Sequence, residues 1–211
     1  HELNTRYEAN GFRFNVILAY HDNPEDYLQE RLTFVADSVM SHPAYYDAEK
    51  FDFTPLFVFH ESDAHTAAEI DSVANQVLPE NTLLAWNEGY DWDVFKNMDL
   101  LYPWAQPMNK NWDDQGQRWG DEYLDFEYDN MNKSRGSHGV YFAIGAAWPG
   151  FDDRSWVNGA DRWMDRQDTL VYHQTWEKIH AYQQPMPMPW VLLQSWNDFN
   201  RSTHLDVSRN N

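Results

Sequence analysis

The chain has 211 residues, 42% hydrophobic and 17% aromatic, which is ample for one core and unlike the composition of a disordered chain. Thirty-four acidic against fifteen basic side chains give a net charge of -19, which repels phosphate backbones and anionic lipid, so neither nucleic acid nor a membrane is an expected partner. With no cysteine, disulfide frameworks, thiolate nucleophiles and Cys-containing zinc sites are excluded.

The acidic residues are dispersed, as on the solvated surfaces of many secreted or salt-tolerant proteins, and a secreted or extracellular location is the expectation. No run approaches the ~20 apolar residues of a membrane span. The opening "HELNTRYEANG" lacks the basic start and apolar core of a leader, and a chain that begins with His reads as processed, trimmed or excerpted. Two glycosylation sequons, Asn132-Lys133-Ser134 and Asn200-Arg201-Ser202, are too common by chance to establish secretion.

In chain order, "FRFNVILAY" (Phe12 to Tyr20) predicts a strand. The helix after it has Asn23 as N-cap, Pro24 at its first position and apolar spacing at Leu28, Leu32, Val35 and Val39. "TPLFVFH" then leads to the helical "HTAAEIDSVANQVL", "TLLAWN" to the short "YDWDVFKN", and "DLLYPWA" crosses a Trp-rich loop to "WGDEYLDFEYDNMNK". "GVYFAIGAAWP" crosses "GFDDRSWVNGADRWMDR" to the helix "DTLVYHQTWEKIHAYQQ", and "WVLLQSW" closes the series of six strands and five helices. Such alternation implies a parallel sheet with helices outside it, as an α/β barrel or a doubly wound sheet. No Gly-rich phosphate loop follows a strand, which argues against nucleotide folds.

Polar and aromatic residues crowd the C-terminal ends of these strands: His21 and Asp22, His60 and Glu61, Asn87 and Glu88, Trp104 and Gln106, Trp148 and Asp152, Asn197 and Asp198. In barrels that rim holds the active site. Tyr102, Trp104, Trp148 and Trp196 belong to a wider set of strand-end aromatics, suited either to the core or to stacking on the apolar faces of sugars. Eleven tryptophans in 211 residues, many beside Asp and Asn, favour carbohydrate as the ligand. Glycoside cleavage needs a proton donor and a base or nucleophile about one bond, and the strand-end carboxylates Asp22, Glu61, Asp63, Glu88, Asp152, Asp153 and Asp198 could supply such a pair. His60, Glu61, Asp63 and His65 carry metal-ligand chemistry, but "HESDAH" straddles a strand end and a helix start, so the two rings need not converge, and no metal or other cofactor is expected.

The segments "GVYFAIGAAWPGFDDRSW", "RWMDRQDTLVYHQTWEKI" and "WVLLQSWNDFNRSTHLD" resemble the last two β-α units of glycoside hydrolase family 99 and its relatives, the endo-α-mannosidase-like barrels. "FRFNVILAYHD", "SHPAYYDAEKFDFTPLFVFHES" and "MDLLYPWAQP" fit the same pattern, so the likeness runs from about Phe12 to Asp206, with its specific part in the final third. It implies a (β/α)8 barrel of the TIM type in which the six strands are the third to the eighth. On that reading 1-211 is one barrel domain lacking two strands at its N-terminus. A longer protein, a partner segment or self-association would complete it, because an open sheet leaves unpaired edges.

The family's last strand carries an acid, two residues, then a second acid followed by Gly-Thr. The first is understood to deprotonate the sugar's 2-hydroxyl, which attacks its own anomeric carbon; the second protonates the leaving oxygen. Asp198 falls on the first position and Arg201 on the second, with Ser202 in place of the Gly and Thr203 kept. An arginine, with a pKa above ~12, cannot donate that proton near neutral pH. The resemblance therefore implies catalysis by Asp198 with Glu88 or Glu61 as substitute acid, and a glycan held by Tyr102, Trp104, Trp148, Asp152, Trp196, Asn197, Arg201 and His204. The expected function is a glycoside hydrolase-like protein, endo-acting if active, that cleaves or binds an α-linked oligosaccharide or polysaccharide. The alternative is a non-enzymatic extracellular sugar-binding or structural assembly protein.

Overall fold

The computed structural model describes residues 17, 19–21, 27–41, 45, 55–60, 64–87, 92–105, 118–138, 142–154, 162–184 and 186–194. Six parallel strands, β1 (Ala19–His21), β2 (Leu56–His60), β3 (Leu83–Asn87), β4 (Leu100–Tyr102), β5 (Phe142–Ala147) and β8 (Trp190–Leu193), follow the order β1-β2-β3-β4-β5-β8. Among the described residues five helices alternate with them: α1 (Leu28–Val35, continued by a π-helical turn Ala36–Met40), α2 (Ala67–Val77), α3 (Trp92–Asn97), α4 (Asp121–His138) and α5 (Leu170–Tyr182). This is the α/β succession of a partial (β/α)8 barrel. The chain forms two compact units, 1–100 and 101–211. No helix among the described residues is long and apolar enough to cross a membrane.

In the first unit β2 pairs in parallel with β1 (Tyr20 opposite Phe59) and with β3 (Phe59 opposite Trp86). Leu56, Phe57 and Phe59 of β2 and Leu83 to Trp86 of β3 are buried, the near-continuous apolar run expected of parallel strands covered on both faces. Phe59 is the hub, with ring centroids 4.8 Å from Phe57, 5.9 Å from Tyr20 and 6.0 Å from Trp86. Helix α2 starts at a capping box: the Thr66 hydroxyl accepts from the Glu69 N–H at 3.2 Å, while the Glu69 carboxylate accepts from the Thr66 N–H at 2.9 Å. The Thr66 N–H, joined by the Thr66 hydroxyl donating to the same carboxylate at 2.9 Å, holds the Glu69 carboxyl below its ordinary pKa.

Helix α1 departs from the regular period. Leu28, Leu32 and Val35 are buried as their spacing predicts, but the next inward residue is Met40, while Val39 is half-buried. A π turn takes in one more residue than an α turn, and so hands the buried face on by one position. The expected start at Asn23 and Pro24 lies outside the described residues.

In the second unit β5 pairs in parallel with β8, Ala147 opposite Leu193. Helix α5 buries Val171, Thr175 and Ile179, one stripe at four-residue spacing. Its approach to β5 is close because Gly145 has no side chain: a Cβ there would meet three Ile179 carbons at 3.1 to 3.3 Å. Helix α4 buries Leu124, Tyr128 and Met131, and the Tyr128 hydroxyl accepts the Ala146 N–H of β5 at 3.0 Å. Burial pushes the Tyr128 phenol above its usual pKa. Across the helix pair, Lys178 of α5 pairs with Asp125 of α4, and the Tyr182 hydroxyl bonds Asp129 at 3.1 Å.

The segment read from sequence as a plain crossing loop contains an antiparallel ribbon, β6 (Phe151–Asp152) with β7 (Trp163–Met164). Two-residue strands are too short to show a period of two, so the pattern could not announce them. The entry to the ribbon is Gly150 at φ +152, where a Cβ would lie 2.8 Å from Arg166 Cγ and 2.9 Å from the Met164 carbonyl oxygen.

Candidate functional site

Three strand ends of the second unit are joined by one residue, Gln194. The Gln194 N–H donates to the Ala147 carbonyl at 2.9 Å, one step beyond the β5·β8 pairing. From there its carboxamide spans the exit of β4: Nε2 donates to the Pro103 carbonyl at 2.9 Å and Oε1 accepts the Ala105 N–H. The amide thus serves both residues that flank Trp104, and at 1% exposure it is fully buried. Trp104 is half-buried just past β4, while Tyr102, the last residue of that strand, is buried. Gln194 is not among the residues expected at the site from sequence, although a lone amide inside "WVLLQSW" signals a polar group that must find buried partners.

Trp148 follows β5 directly. It is fully buried, with its indole N–H donated to the Trp119 carbonyl at 3.1 Å, so its polar edge is already spent within the protein. Beyond it the β6-β7 ribbon is locked by two arginine forks. Asp152 accepts from Arg154 through Nε at 2.9 Å and Nη2 at 2.6 Å; Asp153 accepts from Arg162 at 2.9 Å and 2.7 Å through the same atoms. The Arg162 N–H also donates to Asp153 at 2.7 Å. The Arg154 guanidinium lies 4.2 Å from the centroid of the Trp163 ring, a cation-π contact.

A cleft of about 220 Å³ opens on this ribbon, lined by Phe151, Asp152, Arg154, Trp163, Asp165 and Arg166 among others. Its two arginines and two aspartates balance in charge. Arg154 hydrogen-bonded to Asp152 holds that carboxyl below its ordinary pKa, and burial lowers that of Arg166. An ionised, half-exposed Asp152 beside an aromatic floor can accept hydroxyl hydrogen bonds.

In the first unit, His60 and Asn87 end the adjacent strands β2 and β3, and Asn87 Nδ2 lies 3.3 Å from His60 Nδ1. Asn87 Oδ1 is buried and has no hydrogen-bond partner among the described residues. Glu61 and Glu88, the next residues along, fall outside the described residues, as do Trp196, Asn197, Asp198, Arg201 and His204. Of the set considered for a metal, His60 and His65 are described and Glu61 and Asp63 are not; no cluster of three or more His, Asp or Glu suited to a metal occurs among the described residues.

No family model and no curated protein matches the sequence. Among solved structures, the chain is similar to the glycoside hydrolase family 99 endo-alpha-mannosidase from Bacteriodes thetaiotaomicron, with a TM-score of 0.60 and 16% identity over 88% of this chain and 58% of that one. It is also similar to a glycoside hydrolase-like protein, with a TM-score of 0.52 and 13% identity over 83% of this chain and 52% of that one. The chain thus spans a little over half the length of these relatives, and its fold is glycoside hydrolase-like, of the family 99 type.

Proposed function

We propose that this chain is the glycan-binding part of a family-99-like barrel whose second catalytic acid has been replaced. The observation that supports the reading is a convergence in the second unit. Gln194 ties together the ends of β4, β5 and β8, the strands that lead to Trp104, to Trp148 and Asp152, and into the run Trp196, Asn197, Asp198, Arg201 and His204. The ends of parallel barrel strands are where sugar-active barrels do their chemistry. The ligand is an α-linked oligosaccharide or polysaccharide, held by stacking on aromatics and by hydroxyl bonds to Asp152, Asn197 and His204.

Asp198 is assigned the base that acts on the sugar hydroxyl. Arg201 does not give up its proton near neutral pH, so cleavage needs Glu88 or Glu61 as donor, and without one of them the chain binds and does not cut. Arg201 is also what favours the second reading, an extracellular sugar-binding or structural protein with no catalytic step.

Release of reducing ends from α-mannan and α-glucan panels tests both. The expected result is weak or no turnover by the natural sequence and a gain of roughly 10²- to 10⁴-fold in Arg201→Glu, the usual worth of general acid catalysis. If Arg201→Glu changes nothing while Asp198→Asn abolishes turnover, the acid lies elsewhere and the replaced-acid reading is wrong. If no variant turns over any glycan yet binding persists, the non-enzymatic reading stands.

A further inference from the structure

We propose that Gln194 is a positioning residue for Trp104, setting the aromatic surface offered to the glycan. The consequence for binding rests on the function proposed above; the positioning itself does not. The geometry is that of a strand made from one side chain. Where a neighbouring strand would give a donor to the Pro103 carbonyl and an acceptor to the Ala105 N–H, Gln194 Nε2 and Oε1 take those roles. Both residues flanking Trp104 are thereby fixed, and with them the direction in which the Trp104 side chain leaves the backbone.

The fit is specific to a carboxamide. A hydrocarbon of the same size fills the space but leaves the Pro103 carbonyl and Ala105 N–H unpaired, and a carboxylate accepts from Ala105 while repelling Pro103. A protonated carboxyl has one donor and one acceptor, as the amide has. Gln194→Glu should therefore be defective when ionised and repaired when protonated. A carboxyl in this buried position titrates above the ordinary carboxylate range, which brings the repair within reach of mild acid. Mere filling of the core predicts no such dependence on pH.

The test uses 5-fluorotryptophan incorporated into the 1–211 chain and ¹⁹F NMR, with the Trp104 signal assigned by its loss in Trp104→Phe. In Gln194→Glu the Trp104 signal should be displaced at neutral pH and return toward its natural position on acidification. Gln194→Leu should stay displaced throughout, and the Trp176 signal on α5 should not move. A Trp104 signal that is unchanged in Gln194→Glu, or displaced equally at every pH, overturns the proposal. Should Gln194→Leu not fold, the Gln194→Glu titration decides alone, since it compares one protein with itself.

Titration with α-1,2-, α-1,3- and α-1,6-linked mannan oligosaccharides and with α-glucan oligosaccharides forms the second arm. Where the natural protein binds one of them, Gln194→Glu should bind it on the order of tenfold more weakly at neutral pH and recover in acid, the scale of one or two lost hydrogen bonds. Equal affinity with a displaced Trp104 signal would overturn the link to the glycan. A natural protein that binds none of them, with the ¹⁹F behaviour as expected, would sink the proposed function and leave the positioning role intact.

Discussion

Asp153 and Arg162 close the β6-β7 ribbon with both sides of a backbone and side-chain exchange. The Asp153 N–H donates to the Arg162 carbonyl at 3.0 Å, while the Asp153 carboxylate collects the Arg162 N–H and two guanidinium donors. The Asp153 side chain is fully buried and that of Arg162 is 32% exposed. A carboxylate so placed is tolerable only because three donors replace the water it has lost.

Removing one partner should therefore cost far more than removing both. Asp153→Ala leaves the guanidinium and a backbone N–H without their acceptor, and should lower the unfolding free energy by about 3 kcal/mol, near the low end for a broken buried pair because Arg162 still reaches water. Asp153→Leu combined with Arg162→Met should lose less than Asp153→Ala. Urea unfolding of the three proteins decides; equal losses for single and double variants would show that the fork contributes nothing beyond packing.

The contact between β5 and α5 carries a second expectation. Gly145→Ala puts a methyl where Ile179 already stands at 3.1 to 3.3 Å, and overpacking of this kind typically costs roughly 1 to 3 kcal/mol. Shortening the partner should relieve it: in Gly145→Ala with Ile179→Val the added methyl destabilises less than it does alone. A thermal-melt cycle that is strictly additive would place the cost in the backbone of β5 rather than in this contact.

These two features also mark what the sequence made legible. The apolar runs of β2, β3 and β5 stand out because a parallel strand is buried on both faces, and the Thr66 and Glu69 spacing is that of a capping box. The π turn in α1 is invisible to a period of 3.6, since the chain reads as regular until one residue is absorbed at Ala36–Met40. The ribbon is equally hidden: "GFDDRSWVNGADRW" carries acids and arginines, but which acid meets which arginine depends on a fold-back with no strand-length pattern. Asp152 was legible as a strand-end carboxylate, whereas its partner Arg154 and the stacked Trp163 were not. Gln194 was hidden because its partners, Pro103 and Ala105, are about ninety positions away and offer only backbone.

Trp104 is the aromatic on which glycan affinity should turn. It is half-buried beside two backbone groups that Gln194 holds in place. Trp104→Ala should weaken binding of an α-linked oligosaccharide by roughly 1 to 3 kcal/mol, the scale of one lost aromatic contact. Calorimetric titration reads this directly, and an unchanged affinity would remove Trp104 from the binding surface.

Asp99 gives a pH dependence whose sign is opposite to that of a salt-bridged acid. Its carboxylate accepts the Leu84 N–H at 2.9 Å, and its own N–H donates to the Leu84 carbonyl at 3.0 Å, so it stitches the start of β4 to β3. Burial pushes its carboxyl above the ordinary pKa; the Leu84 bond works against that shift and the charge of Asp71 adds to it. A folded-state pKa raised above the unfolded value of about 3.9 means that the native protein holds this proton more tightly. The contribution to stability is full below about pH 3.9 and is lost as the pH rises through the folded-state pKa. Asp99→Asn keeps an oxygen for Leu84 and never ionises, so the loss should vanish. In thermal melts from about pH 3 to pH 8, Asp99→Asn should track the natural protein in acid and gain on it as the pH rises through that raised pKa, all other groups cancelling in the difference. A difference that stays flat across the range would mean that the Leu84 hydrogen bond offsets the loss of water, and one that turns against the variant toward neutral pH would mean that it outweighs that loss and that Asp99 stabilises the fold as an anion; either result overturns the expectation.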